Sequence, residues 1–429
     1  MLPVTVLAAS LVLLSIDGLK PDYVLKADTH GLKVPNLRLL VEGGAHAEAV
    51  TGVFPTVTYP SHATMLTGVA PARHGIYSNH PFDPLSKNQD GWYWYVEDLK
   101  AMTLWEAAES AGLRTASVDW PVSVGAAISF NVAQYWRAGN AEDVKLIRAL
   151  STKGLLEEAE AALGPYPDGN DYSIAADRRR TEFIEYLLDR KKPAFLTAYF
   201  SGLDTVEHQS GPYSRETFEA LEVLDGLVGR LRAKARVLCL VSDHGFLPSE
   251  KVLNLNAALH DAGLIEAEAS GVTKGWKAFA WDQGGSALVI LASPEDENLR
   301  EQVRGVLRRL PGIDRIVEKE EAGALGGYPE AAFLVGLAKG YRGGGGVAGP
   351  VVRPGDAAGT HGYLPDVAEM DSSFFLAGEG IPRGLALGRI DMRDIAPTLA
   401  AILGVAVEGT EGRDLLEAHV KDDSEVHRR

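Results

Sequence analysis

Three uninterrupted apolar runs punctuate the chain: LVLLSIDG at 11–18, AFLTAYFSGLD at 194–204 and VLCLVSDHG at 237–245. None alternates with polar residues, and all are rich in Val, Leu or aromatics, which predicts strands buried on both faces of a parallel sheet. Between and around them lie amphipathic stretches: VPNLRLLVEGG, TLWEAAESAG and RETFEALEVLDGLVGRLRA. Each closes on a glycine or a polar boundary, as helix ends do. Strand and helix alternating over most of the chain predicts an α/β fold, a doubly wound and mostly parallel sheet with helices on both faces. Two segments break the rhythm. Residues 136–190 read as helical and charged, and 266–352 as a strand and helix pattern (SALVILAS, then ENLREQVRGVLRRL). Both are expected to be inserted lid segments on one domain spanning 10–416. The run Gly343–Gly346 reads as a flexible surface loop, and 417–429 as a disordered tail.

Composition narrows the partners. With 429 residues, 46% of them apolar, the chain can bury a sizeable core. Its formal net charge of −16 argues against a nucleic-acid duplex or an anionic membrane surface. An anionic substrate therefore needs a local source of positive charge. Cys239 is the sole cysteine, so no intrachain disulfide forms. The apolar N-terminus is too short for an integral membrane segment. Residues 1–9 resemble the end of an export signal without its basic start. On that reading the protein is periplasmic or secreted; otherwise it is cytoplasmic. Oligomeric state is not legible in the sequence.

Each apolar run ends at or near an aspartate: Asp17, Asp204 and Asp243. In open α/β sheets functional groups collect just beyond the carboxyl ends of strands. A single aspartate there is ordinarily a helix cap. Here imidazoles accompany them. His244 follows Asp243 directly, and His208 lies four residues after Asp204, on the same face of a helical turn. His361, in GTHGY, is flanked by glycines that let backbone approach closely. Carboxylate and imidazole without thiolate suit catalytic zinc, with a position left for water or substrate. Asp17, Asp204, His208, Asp243, His244 and His361 are therefore the candidate ligands. His62, His74 and His80 lack a carboxylate at ligand spacing and read as structural or supporting, and His30, His46 and His260 as surface or core. The run Trp92–Tyr95 reads as packing.

A hydroxyl stands out in FPTVTYPSH, residues 54–62. The residues that follow predict a short helix closing on Gly68, with Pro60 as its first helical residue. Thr58 then lies at the helix N-terminus, where free N–H groups and the dipole favour an alkoxide and the phosphate it attacks. Threonine is a weak nucleophile until it loses its proton, which coordination to a dication achieves. Without metal ligands nearby, Thr58 would read as a helix cap.

The set SIDGLKPDY, FPTVTYPSH, TGVAPARHGIYSN, LDTVEHQSGP, SDHG and GTHGY resembles the alkaline phosphatase superfamily, and within it the nucleotide pyrophosphatase/phosphodiesterase family. The resemblance covers residues 11–366 in the family's order. It implies an alkaline-phosphatase-like fold and two zinc ions, one held by Asp204, His208 and His361, the other by Asp17, Asp243 and His244. It also implies Thr58 as the nucleophile bridging to the second ion. Asn79 would donate to a nonbridging phosphate oxygen, and Tyr59 would line the substrate side. The reaction implied is hydrolysis of a small phosphate diester or nucleotide pyrophosphate through a phosphothreonine intermediate.

Four departures blur substrate preference: Tyr59 and Ser61 replace the family's usual phenylalanine and asparagine, Glu207 stands where glycine is common, and GTHGYLPD lacks the frequent HGYDN. None removes a ligand. Phosphonoacetate hydrolase would need lysines for a carboxylate, and Lys87 and Lys100 match poorly. A phosphomonoesterase would favour an arginine near the nucleophile, and the sequence shows none beside Asn79. A non-catalytic binding protein fits poorly with an intact ligand set.

Overall fold

The three apolar runs become neighbouring strands at the centre of an eight-stranded sheet. Its order from one edge is Leu385–Ala386, Gly44–His46, Phe374–Gly378, Val237–Val241, Leu11–Ile16, Phe195–Phe200, Thr115–Val118 and Phe130–Val132. Every strand but Phe374–Gly378 runs in the same direction. The structure, a computed structural model, describes residues 10–88, 91–137, 142 and 144–417. The leader expected at 1–9 and the tail from 418 lie outside them. Burial explains the unbroken apolar runs. Val12, Leu14 and Ile16 pack into a core on one face with Leu196, Ala198 and Phe200, while Leu11 and Leu13 pack on the other with Phe195 and Tyr199. Neither face meets water, so neither selects polar residues. Register then aligns the strand ends: Ser15 pairs with both Tyr199 and Val241. Asp17, the turn before Asp204, and Asp243 therefore leave the sheet side by side at the carboxyl ends of its central strands.

The two segments that broke the rhythm are built differently. In the first, the helix Ile174–Tyr186 buries Phe183 and Ile184 in the main core. In the second, Ala278–Asp282, Ser286–Leu291, Phe333–Leu337 and Ile313–Glu318 form an antiparallel sheet. The helix Glu297–Leu307, capped by Asp296, packs on it through Leu299, Val303, Val306 and Leu307. Of the run Gly343–Gly346, expected as a surface loop, Gly343 ends a strand and Gly344–Gly346 form an irregular loop. Gly340–Gly343 is a strand paired in parallel with Leu247–Leu253. A Cβ on Gly343 would lie 1.8 Å from Asp282 Oδ1, and one on Gly344 2.3 Å from Asn254 Oδ1. These glycines exist for close approach; only Gly345, with nothing within 4 Å, sits in the open. Among the described residues no helix is long and apolar enough to cross a membrane.

Candidate active site

Thr58 opens the helix Thr58–Thr67, two residues earlier than the expectation that Pro60 begins it. Val57 holds the cap position in extended conformation and no side chain caps the helix, so the Thr58 hydroxyl is not used as a cap. The first turn offers fewer free donors than a bare helix end. Tyr59 N–H donates to Asn79 Oδ1 at 2.9 Å, Pro60 has no N–H, and Ser61 N–H closes onto the Val57 carbonyl. The bond from Tyr59 also fixes the Asn79 amide, leaving its Nδ2 as the donor edge. Thr56 is occupied elsewhere: fully buried, it donates to the Tyr363 carbonyl at 2.7 Å.

The six expected ligands come together as two triads. Asp204, His208 and His361 each offer an atom within 4.8 Å of the others, and so do Asp17, Asp243 and His244. Each imidazole is turned the same way. Nδ1 of His208 lies 3.0 Å from the Gly359 carbonyl, that of His361 3.3 Å from the Thr56 carbonyl, and that of His244 3.2 Å from the Gly245 carbonyl. A proton on Nδ1 satisfies each carbonyl and leaves the Nε2 lone pair facing the cluster, as in histidines that ligate a metal through one nitrogen while the other donates to backbone. His208 and His361 point Nε2 at Asp204 Oδ1, at 3.4 and 3.6 Å. His244 Nε2 lies 3.2 Å from Asp17 Oδ1 and 3.3 Å from Asp243 Oδ2. The rings of His244 and His361 stack at 3.6 Å, joining the triads.

The site fits divalent cations on its own geometry. Asp17 Oδ1, Asp204 Oδ1, Asp243 Oδ2 and His244 Nε2 are buried polar atoms with no hydrogen-bond partner, an arrangement that costs free energy unless something fills it. Charge tells the same story. Burial, with Asp243 and Asp204 close by, pushes the Asp17 carboxyl well above its usual range, and burial pushes Asp243 up to about 7. Burial beside His361 and His208 holds His244 well below its usual value. For Asp204 burial also opposes ionisation, but His208 and His361 beside it hold the carboxyl below its usual range. Bound cations invert this conflict by turning crowded carboxylates into ligands.

Several residues around the triads went unread in the sequence. Tyr199, within an apolar strand, donates its hydroxyl to Asp17 Oδ2. Asp177, fully buried, accepts from the N–H groups of Ser201 and Gly202 at 3.3 and 2.9 Å, where the helix bearing Asp204 and His208 begins. Arg180 binds Asp177 at 3.0 Å and Asp119 at 2.8 Å. A cavity of ≈ 190 Å³ holds Thr58, Asp17 and Asp204 with aromatic walls from Tyr59, Trp92, Trp136 and Tyr172. Trp92 thus faces the cavity as well as packing. Tyr59 is nearly all buried, its ring 5.2 Å from that of Trp92 and its hydroxyl bonded to Gln134 Oε1 at 2.6 Å. A second cavity of ≈ 230 Å³ shares Asn79, His208 and His361 and adds His80 and Arg342. His62 has the supporting role expected of it, holding the Thr58 carbonyl at 2.7 Å and Ser15 Oγ at 2.8 Å. His74 bonds Thr64 Oγ1 at 3.0 Å.

The profile of the type I phosphodiesterase / nucleotide pyrophosphatase family matches residues 11–330. An uncharacterised pyrophosphatase/phosphodiesterase of Schizosaccharomyces pombe is 26% identical over 283 residues, covering 59% of this chain and 50% of that protein. Human ectonucleotide pyrophosphatase/phosphodiesterase family member 1 is 27% identical over 277 residues, covering 59% of this chain and 25% of the relative. The chain thus spans half or less of the length of these curated relatives. Human ectonucleotide pyrophosphatase/phosphodiesterase 5 superposes with a TM-score of 0.66 at 18% identity, covering 94% of this chain and 96% of that one. A murine counterpart, an inactive threonine-to-alanine variant in complex with AMP, gives 0.67 at 19% identity over 94% and 96%. At these identities the structures establish a shared fold.

Proposed function

Because the chain belongs to the type I phosphodiesterase / nucleotide pyrophosphatase family, we propose that it hydrolyses phosphodiester or nucleotide pyrophosphate bonds with Thr58 as nucleophile. Zinc would be held by Asp204, His208 and His361 at one position and by Asp17, Asp243 and His244 at the other. The observation that carries the reading is the common orientation of the three imidazoles, each Nδ1 on a backbone carbonyl and each Nε2 turned toward unpartnered carboxylate oxygens. When bound, the two ions supply the deprotonation of the threonine hydroxyl and the neutralisation of the leaving oxygen. The rest falls to the chain. Thr58 Oγ1 attacks phosphorus in line, the bond to the leaving oxygen breaks, and the remainder of the substrate stays linked through phosphorus to Thr58. Asn79, with Oδ1 tied to Tyr59 N–H, presents Nδ2 to a nonbridging oxygen as charge builds there. Water then attacks the same phosphorus and restores the hydroxyl. Tyr59, Trp92, Trp136 and Tyr172 enclose the group that stays on phosphorus. The murine neighbour bound to AMP supports a nucleoside monophosphate there.

A substrate panel on zinc-loaded protein tests this reading: nitrophenyl thymidylate, bis-nitrophenyl phosphate, nitrophenyl phosphate and phosphonoacetate. The diesters are expected to turn over fastest. Fastest cleavage of the monoester or of phosphonoacetate would assign the chain to another branch of chemistry on the same fold.

A further inference from the structure

We infer that Arg342 determines specificity by binding an anionic leaving group, the phosphate next to the one attacked, so that phosphoanhydrides are preferred over esters with uncharged leaving arms. The inference rests on the hydrolase reading above.

In-line displacement sends the leaving group away from the nucleophile. Two cavities meet at Asn79, His208 and His361. One contains Thr58 and Asp17; the other contains neither, and adjoins the first at His208 and His361. The leaving group therefore enters the second cavity. Among the described residues Arg342 is the only lysine or arginine lining either one, in a protein with a formal net charge of −16.

The guanidinium is positioned rather than loose. Arg342 lies on the strand Gly340–Gly343, whose last glycine is pinned against Asp282. Nη1 donates to the Gly343 carbonyl at 3.0 Å and Nη2 to Asp356. Asp356 is shared with Arg353, 2.9 Å from its other oxygen, so one carboxylate serves two guanidinium groups. Arg342 Nε is buried without a partner. Asp282 on the same wall opposes an anion, but its Oδ1 is committed to Gly284 N–H at 3.1 Å. A planar fork with spare N–H groups matches phosphate oxygens in a way an ammonium does not. In the step itself the Thr58 Oγ1–P bond forms as the anhydride P–O bond breaks. The electron pair goes to the bridging oxygen, now on the departing phosphate beside Arg342, and the hydroxyl proton passes to solvent.

The test compares kcat/KM for ATP and for nitrophenyl thymidylate in the wild type, Arg342→Gln and Arg342→Lys. The ATP-to-nitrophenyl ratio is expected to fall by about tenfold or more in Arg342→Gln, the scale of one charge-assisted hydrogen bond, and to recover partly in Arg342→Lys. A second readout uses calorimetry on the Thr58→Ala protein, where ATP should bind more tightly than AMP and adding Arg342→Gln should erase the difference. An unchanged ratio, or equal loss on both substrates, overturns the inference while leaving the hydrolase reading standing; equal loss would place Arg342 on the transferring phosphoryl group or in the fold. A wild type that turns over neither substrate overturns both.

Discussion

Thr56 and Thr58 stand two residues apart and have opposite surroundings. Thr56 is sealed in the core with its hydroxyl on the Tyr363 carbonyl, whereas Thr58 borders the cavity with the aspartates. Thr56→Ala should cost about 1 kcal/mol of stability and leave most of kcat/KM; a loss of activity comparable to that of Thr58→Ala would show that the wrong hydroxyl was chosen. At this scale the two triads were legible because the aspartates at three strand ends came with histidines, which a helix cap does not require. Tyr199 was not. Its hydroxyl serves Asp17, yet its position in FLTAYF gives it the pattern of any core aromatic, and only register with Leu11–Ile16 places it beside the site. The Tyr59 ring was expected on the substrate side; it does line the cavity, but Gln134 and Trp92 hold it mostly buried.

The elements that carry the two triads are held by others. The helix Gly202–Ser210 presents Asp204 and His208, and its first N–H groups are met by Asp177 from Ile174–Tyr186 rather than by a cap of its own. Gly202 is needed there, since a Cβ would lie 2.6 Å from Asp177 Oδ2. Arg180 sits between Asp177 and Asp119, all three nearly or fully buried. Asp177→Ala strands both the helix end and the guanidinium, and should cost about 3–5 kcal/mol in denaturant unfolding; a cost below about 1 kcal/mol would mean this cap does not position the helix. The strands themselves were readable as apolar runs, because a strand buried on both faces leaves that mark. The cap was not, because Asp177 lies 24 or more residues from the groups it satisfies in a stretch whose charges look solvated.

At the scale of the molecule, the site is where three layers meet. The main sheet delivers Asp17, Asp204, Asp243 and His244 at the carboxyl ends of its central strands. The 136–190 segment adds Trp136 and Tyr172 to one cavity wall, and the 266–352 segment adds Asp282 and Arg342 to the other. The doubly wound core was legible from alternation alone. The walls were not, since glycine-rich RGGGG reads as slack chain until its packing against Asp282 and Asn254 is seen. All three layers converge on one claim, that Thr58 carries the substrate's phosphorus between two displacements. Rapid acid quenching of the zinc-loaded enzyme during ATP turnover, followed by peptide mass analysis, tests it most directly. The account predicts AMP covalently attached to the peptide at Thr58. AMP attached at another residue, or turnover of oxygen-labelled water into product with no covalent adduct at any quench time, would contradict it.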